Sequence, residues 1–195
     1  CFLLTFHYRT TDRHLLIDFG STWSSWRYMA DVANDIRVRT GDKLDAVLAT
    51  HRHKDHISGF ATRDDGDASG DIISALEPDL VSMTWTEDPK LAADARGITS
   101  GEPNLSLISA LESMDTVAQR AMLAATSRRG ARRSSRQVEM ESLAEINIPN
   151  RNALLNLLNM AGQKTEFLHY GKKTSLSSKF RGVKFHVLGP PTIRQ

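Results

Sequence analysis

One stretch constrains the chain more than any other: Leu44-Asp45-Ala46-Val47-Leu48-Ala49 running into Thr50-His51-Arg52-His53-Lys54-Asp55-His56. An apolar run that ends in three imidazoles and a carboxylate reads as a buried strand carrying donors to its C-terminal mouth. Neutral imidazole and carboxylate are the usual nitrogen and oxygen donors for zinc, and for manganese or iron. Extended backbone sends alternate residues to one side, so His51, His53 and Asp55 converge if the chain stays extended. His56 then needs a turn to join them or to face a second ion. A solvated polar loop is the plainer reading, and Arg52 and Lys54 argue that the stretch is partly exposed. Yet three of only seven histidines fall in one window of six residues, which favours a metal site, and a two-metal one.

The pattern His-x-His-x-Asp-His after an apolar strand resembles the signature of the metallo-β-lactamase fold superfamily, whose members are mostly metal-dependent hydrolases. A second match lies upstream in Arg13-His14-Leu15-Leu16-Ile17-Asp18-Phe19-Gly20-Ser21, which is similar to the family's early strand with its aspartate and following glycine. A looser match, Gly182-Val183-Lys184-Phe185-His186-Val187-Leu188-Gly189-Pro190-Pro191, is similar to the strand and Leu-x-Pro turn of the DNA-uptake-type branch. The resemblance is strong over residues 13–60, weak over 160–191 and absent between.

What the resemblance implies is an α/β fold, a metallo-β-lactamase-like αββα sandwich, and a centre of two divalent ions, zinc first, with manganese or iron as alternatives. His51 and His53 match the pair on the first ion, and Asp55 and His56 the pair on the second. Asp55 also matches the catalytic carboxylate that orients the bridging water as it deprotonates. Asp18 matches the early aspartate and is assigned an outer role, since imidazole ligands need a partner that fixes their tautomer. A strand-ending turn residue is the alternative for Asp18. In the family, further histidines and a bridging aspartate come later than Gln195, so the expectation is a fold incomplete at the C-terminus. The opening Cys1-Phe2-Leu3-Leu4 lacks a methionine, and an N-terminal segment is expected to be missing.

At 195 residues, one domain spanning 1–195 is expected, large enough to bury a sizeable core. One cysteine excludes an internal disulfide framework, and a reducing, cytoplasmic setting follows as the expectation. No apolar stretch reaches transmembrane length, so no membrane partner is expected. A net charge of +2 says little about partners.

Strands are expected over 2–8 and 13–19, joined by the turn Arg9-Thr10-Thr11-Asp12. Ser24 or Ser25 caps a helix from Trp26 to Val38, and Gly41 ends it. Residues 61–71, rich in aspartate and glycine, read as a loop before a short helix at Ile72–Leu76 and a strand near Leu80–Trp85. The apolar stripe Leu107, Ile108, Leu111, Met114, Ala118 and Met122 predicts an amphipathic helix over 105–126. Another helix follows Pro149, carries Leu154, Leu157, Leu158 and Ala161, and stops at Gly162. Strands are expected over 164–170 and 181–188, around a polar turn at Lys172–Ser178.

Between the two later helices lies a basic loop at 127–137 with Arg128, Arg129, Arg132, Arg133 and Arg136. It reads either as solvated charge or as a phosphate-attracting patch. No aromatic residue interleaves it, so base stacking is not suggested. His169 reads as a strand histidine bonded to backbone, with third-ligand duty as the alternative. His186 alternates with Phe185 and Val187 and is expected to face away from their apolar side. His7, His14 and Cys1 are given no role. Glu87 and Asp88 follow a strand and either line the cleft or form the turn before Pro89.

The functional expectation is a metal-dependent hydrolase acting through a metal-activated water. Phosphodiester, thioester and amide cleavage all suit such chemistry, and fold does not decide among them. The arginine run and the uptake-type ending tilt the substrate toward a phosphodiester or nucleic acid, against another small molecule; a lactam has no specific support. The alternatives are a non-catalytic binding module, or an inactive fragment, of the same fold.

Overall fold

The computed structural model describes residues 1–90, 151–162 and 164–191. The expected helix over 105–126, the basic loop 127–137 and the Pro149 helix start lie outside these residues.

Strands β1 (Phe2–His7), β2 (Asp12–Ile17), β3 (Ala46–Leu48), β4 (Val81–Thr84) and β5 (Thr165–Leu168) form one sheet in the order β1-β2-β3-β4-β5. The β1–β2 hairpin is antiparallel and the other pairings are parallel. This is a mixed α/β architecture. Parallel neighbours need a crossover, and helix α1 (Trp26–Thr40) supplies it between β2 and β3. Helix α2 (Lys54–Ile57) and helix α3 (Ser69–Ala75) lie between β3 and β4, and α4 (residues 151–160) precedes β5. A last short helix, α5, spans Leu176–Lys179.

Period-two alternation divides the strand residues between two apolar layers. Leu16 pairs with Val47 and Val47 with Val81. That row packs under Met29, Ala33 and Ile36 of α1, Ile73 of α3 and Leu154 and Leu157 of α4. Leu15 and Ala46 point the other way, into a cluster with Leu80, Leu176 and Phe180.

Helix α1 begins and ends as its sequence predicts, two residues longer. Ser25 Oγ accepts from the Tyr28 N–H, and Gly41 takes the left-handed φ of 60° that closes the last turn. Residues 151–160 are helical, and Gly162, also left-handed, follows them as expected.

Three expectations are corrected. Helix α3 starts at Ser69, three residues before the expected Ile72, because the Asp71 carboxylate reaches back to the N–H groups of Ala68 and Arg63, both at 3.1 Å. The polar stretch 172–178 runs into α5. The expected strand over 181–188 does not form, although its alternation is real: Phe185 and Val187 are half-buried and His186 is exposed. Its backbone makes isolated bonds, such as Gly171 N–H to Val187 O at 3.0 Å, instead of a ladder.

Glu166 ties β5 to its surroundings. Its carboxylate accepts from Ser82 Oγ at 2.7 Å, Thr174 Oγ1 at 2.5 Å and the Ser175 N–H at 2.9 Å. Burial pushes its pKa up, but the donors from Thr174, Ser175 and Ser82 more than reverse that, so it lies below the ordinary value. A depressed carboxylate pKa gives stability that is present above the unfolded-state value and lost as pH falls through the folded one. Glu166→Gln is therefore expected to lose about 2 kcal/mol at neutral pH. Urea unfolding should show that difference shrinking toward about pH 3.

Candidate metal centre

The C-terminal mouths of β2 and β3 lie side by side. Asp18, the residue after β2, has a left-handed φ of 50°, a conformation that aspartate tolerates better than most residues. There its carboxylate accepts three hydrogen bonds. Thr50 N–H gives to Oδ1 at 2.7 Å, Thr50 Oγ1–H gives to Oδ2 at 2.7 Å, and His56 Nδ1 lies 2.8 Å from Oδ2. The backbone holds the same junction through Asp18 N–H to Leu48 O at 2.9 Å and Phe19 N–H to His56 O at 2.6 Å.

The chain does not stay extended after β3, which corrects the geometry expected for the histidines. His53 is the last extended residue, with φ −67° and ψ 150°, and Lys54 opens the single turn α2. Ile57 drives that turn, since it is fully buried in the layer beneath. Asp55 and His56 thus come from a helical turn, and His51 and His53 from the extended segment. His51 lies against His53 with ring centroids 4.6 Å apart, and against His56 at 3.8 Å. Asp55 Oδ2 is 3.4 Å from His56 Nε2. Asp18, His51, His53, Asp55 and His56 therefore meet in one cluster.

The hydrogen bonds assign the ring protons. A carboxylate only accepts, so His56 carries its proton on Nδ1 and turns Nε2 away from Asp18. Thr50 Oγ1 spends its hydrogen on Asp18, so at 3.1 Å it accepts from His51 Nδ1, which leaves His51 Nε2 with its lone pair. Burial, with His56 and then His53 nearby, lowers the His51 pKa below its ordinary value and favours the neutral, donor form.

By donor chemistry this set suits a divalent ion: neutral imidazoles, a carboxylate, and an outer carboxylate on one ring. The rings nevertheless pack on one another, tilted or edge to face. Among the described residues, no three His, Cys, Asp or Glu side chains form a group that could hold an ion.

Residues 1–62 match the family model of the metallo-beta-lactamase superfamily. Over that span the chain is a metallo-beta-lactamase superfamily domain. The matched span takes in β1, β2, α1, β3 and the whole histidine cluster. No curated protein and no solved structure matches the chain. No helix among the described residues is long and apolar enough to cross a membrane.

Two cavities flank the cluster. One of about 430 Å³ runs beside α2 and is lined by Lys54, Arg63, Trp26, Ser58 and Asn152, with no carboxylate in its lining. A smaller one of about 200 Å³ lies at the mouths of β3 and β4, between Thr50, Met83, Leu168 and Phe185. A third, of about 550 Å³, opens at the opposite end of the strands around Arg13, Asp79 and Lys179, away from the histidines.

The other histidines stand apart from the cluster's bonding. His169 is half-buried with Nδ1 3.0 Å from Tyr170 O, His14 bonds Thr5 Oγ1 at 3.1 Å, and His7 pairs with Asp12 at 3.0 Å. Two residues of the site carried little sequence signal. Thr50 bridges Asp18 to the rings, and only its place between strand and first histidine hinted at it. Glu87, read as lining the cleft or forming the turn before Pro89, sits in a 3₁₀ turn (Trp85–Glu87) with its side chain buried.

Proposed function

We propose that this chain is a metal-dependent hydrolase of the superfamily and that its sheet is one of the two in an αββα sandwich. The observation that carries this reading is the Asp18–Thr50–His56 triangle. It holds two imidazoles in the tautomer whose Nε2 lone pair is free for an ion. His51 and His53 would hold a first divalent ion and Asp55 and His56 a second, with zinc the first choice for both. Such ions, when bound, bring the pKa of a water near neutrality and polarise an oxygen of the substrate.

The chain's own residues do the rest. Asp18 fixes the His56 ring, Thr50 fixes the His51 ring, and the Asp55 carboxylate, exposed at the mouth, orients the attacking water and accepts its hydrogen bond. Lys54 lines the adjoining cavity, whose lining has no carboxylate, beside Arg63, whose Nε is paired with Asp65 at 3.1 Å. That favours an anionic substrate, and a phosphodiester, free or within a nucleic acid, is the class proposed.

The packing of rings on rings favours a second reading, a binding module of the same fold that performs no chemistry. Metal content of the purified chain and cleavage of bis(p-nitrophenyl) phosphate, with and without chelator, separate the two. The hydrolase is expected to carry zinc and to show chelator-sensitive cleavage. Bound metal without cleavage of this or a nucleic-acid phosphodiester favours the binding module, and a folded chain that takes up no metal overturns the hydrolase.

A further inference from the structure

Glu87 is the least comfortable charged group among the described residues. It lies just past the C-terminal end of β4, only 4% exposed. Oε1 accepts from Thr86 Oγ1 at 3.2 Å, but Oε2 is buried with no hydrogen-bond partner. The Arg52 guanidinium stands 3.9 Å from Oε2, too far to donate. A buried carboxylate left half-satisfied costs free energy that a turn residue has no reason to bear.

A second orphan lies one residue beyond Arg52, on the same loop. Among the three clustered imidazoles, His56 has Asp18 and His51 has Thr50, whereas the His53 ring makes no hydrogen bond among the described residues. Arg52, the residue before His53, carries the loop's guanidinium to the Glu87 carboxylate. One unmatched acceptor thus lies beside the loop that carries the one ring without an outer partner.

We propose that Glu87 is the positioning residue of His53: in the metal-loaded protein its Oε2 accepts the ring N–H of His53 and turns the opposite nitrogen toward the ion. This rests on the metal-centre reading above. It assigns the three rings three different anchors, Thr50 for His51, Glu87 for His53 and Asp18 for His56. Two of those anchors are carboxylates placed at the ends of neighbouring strands on either side of β3. It also accounts for an acidic side chain in the buried layer at the end of β4. The group is satisfied only when the histidine loop closes on an ion.

The test is zinc affinity by chelator competition for the wild type, Glu87→Gln, Glu87→Met and Arg52→Gln, with the imidazole ¹⁵N spectrum of the zinc-loaded proteins. Loss of an outer partner typically costs about 10–100-fold in metal affinity. Glu87→Met is expected to lose that much and Glu87→Gln, which keeps a neutral acceptor, somewhat less, with the His53 ring N–H signal shifted in both. Arg52→Gln should bind zinc within about threefold of wild type, less than the 10-fold floor for losing an outer partner. Glu87→Met is matched in length and removes a half-satisfied buried charge, so the metal-free variant should unfold no more easily than wild type. Unchanged zinc affinity in Glu87→Met overturns the proposal while leaving the metal centre standing. So does an Arg52→Gln loss equal to that of Glu87→Met, which would make the carboxylate an anchor for Arg52. A wild-type chain that takes up no zinc overturns both readings together.

Discussion

A His51→Ala/His53→Ala chain is expected to remain folded and to lose both zinc and turnover. The two rings are the donors assigned to the first ion, and they come from the extended segment before α2, where neither is packed in the core. Removing an outer partner alone costs about 10–100-fold in affinity, so deleting two donors should cost well over about 10⁴-fold. The chemistry falls with it. An ion that supplies several kcal/mol of transition-state stabilisation leaves a deficit of about three orders of magnitude in rate when it goes. The checks are metal content by mass spectrometry and cleavage of bis(p-nitrophenyl) phosphate, beside a thermal unfolding curve. Retained zinc in the double variant would move the ion away from the cluster at the mouth of β3. Retained cleavage with zinc lost would take the chemistry away from the ion. The Asp18–Thr50–His56 triangle survives the substitutions, so the loss reads on the donors and not on a collapsed loop.

Strands β1 to β4 were legible because each is a short apolar or alternating run bounded by turn residues, and α1 because Ser25 and Gly41 punctuate it. The histidine cluster was legible as a motif but not as a geometry. Lys54-Asp55-His56-Ile57 gives no local sign of a turn, and the bend is imposed from below, by Ile57 entering the core. Helix α3 begins early for a similar reason. Gly70 packs where any side chain would meet the backbone carbonyls of Phe60 and Ala61, a close approach between segments ten residues apart. Residues 181–188 show strand alternation, yet a strand needs a neighbour, and this stretch makes scattered bonds instead: the Tyr8 hydroxyl gives to Arg181 O, Gly171 N–H gives to Val187 O, and Phe185 N–H gives to Ser177 Oγ. Glu87 was hidden most completely. Glu-Asp-Pro is turn chemistry in any sequence, and only the stacking of layers around β4 shows that the carboxylate is buried.

Gly20→Ala is expected to damage stability and metal binding together. A β-carbon at this position would lie 2.6 Å from Lys54 O and 2.8 Å from the carbonyl carbons of Asp55 and His56. All three are backbone atoms of α2, so no side chain can rotate away, and the helix itself has to move. Overpacking a tight contact costs roughly 1–3 kcal/mol and occasionally more; with backbone on both sides, about 3 kcal/mol is expected. The damage reaches the site because the same contact sets the distance between the two halves of the cluster. Asp18 and Phe19 lie on one side of it, and Asp55 and His56 on the other. Phe19 N–H bonds His56 O at 2.6 Å, and Asp18 Oδ2 bonds His56 Nδ1 at 2.8 Å. Pushing α2 outward stretches both, releases the ring of His56 and frees Asp18 from one of its three donors. Urea unfolding measures the first effect and zinc affinity the second, and the two should fall together. A variant that loses stability but keeps wild-type zinc affinity would show that the approach of α2 to Gly20 serves packing alone. The aspartate-x-glycine spacing at the end of β2 would then owe nothing to the metal centre.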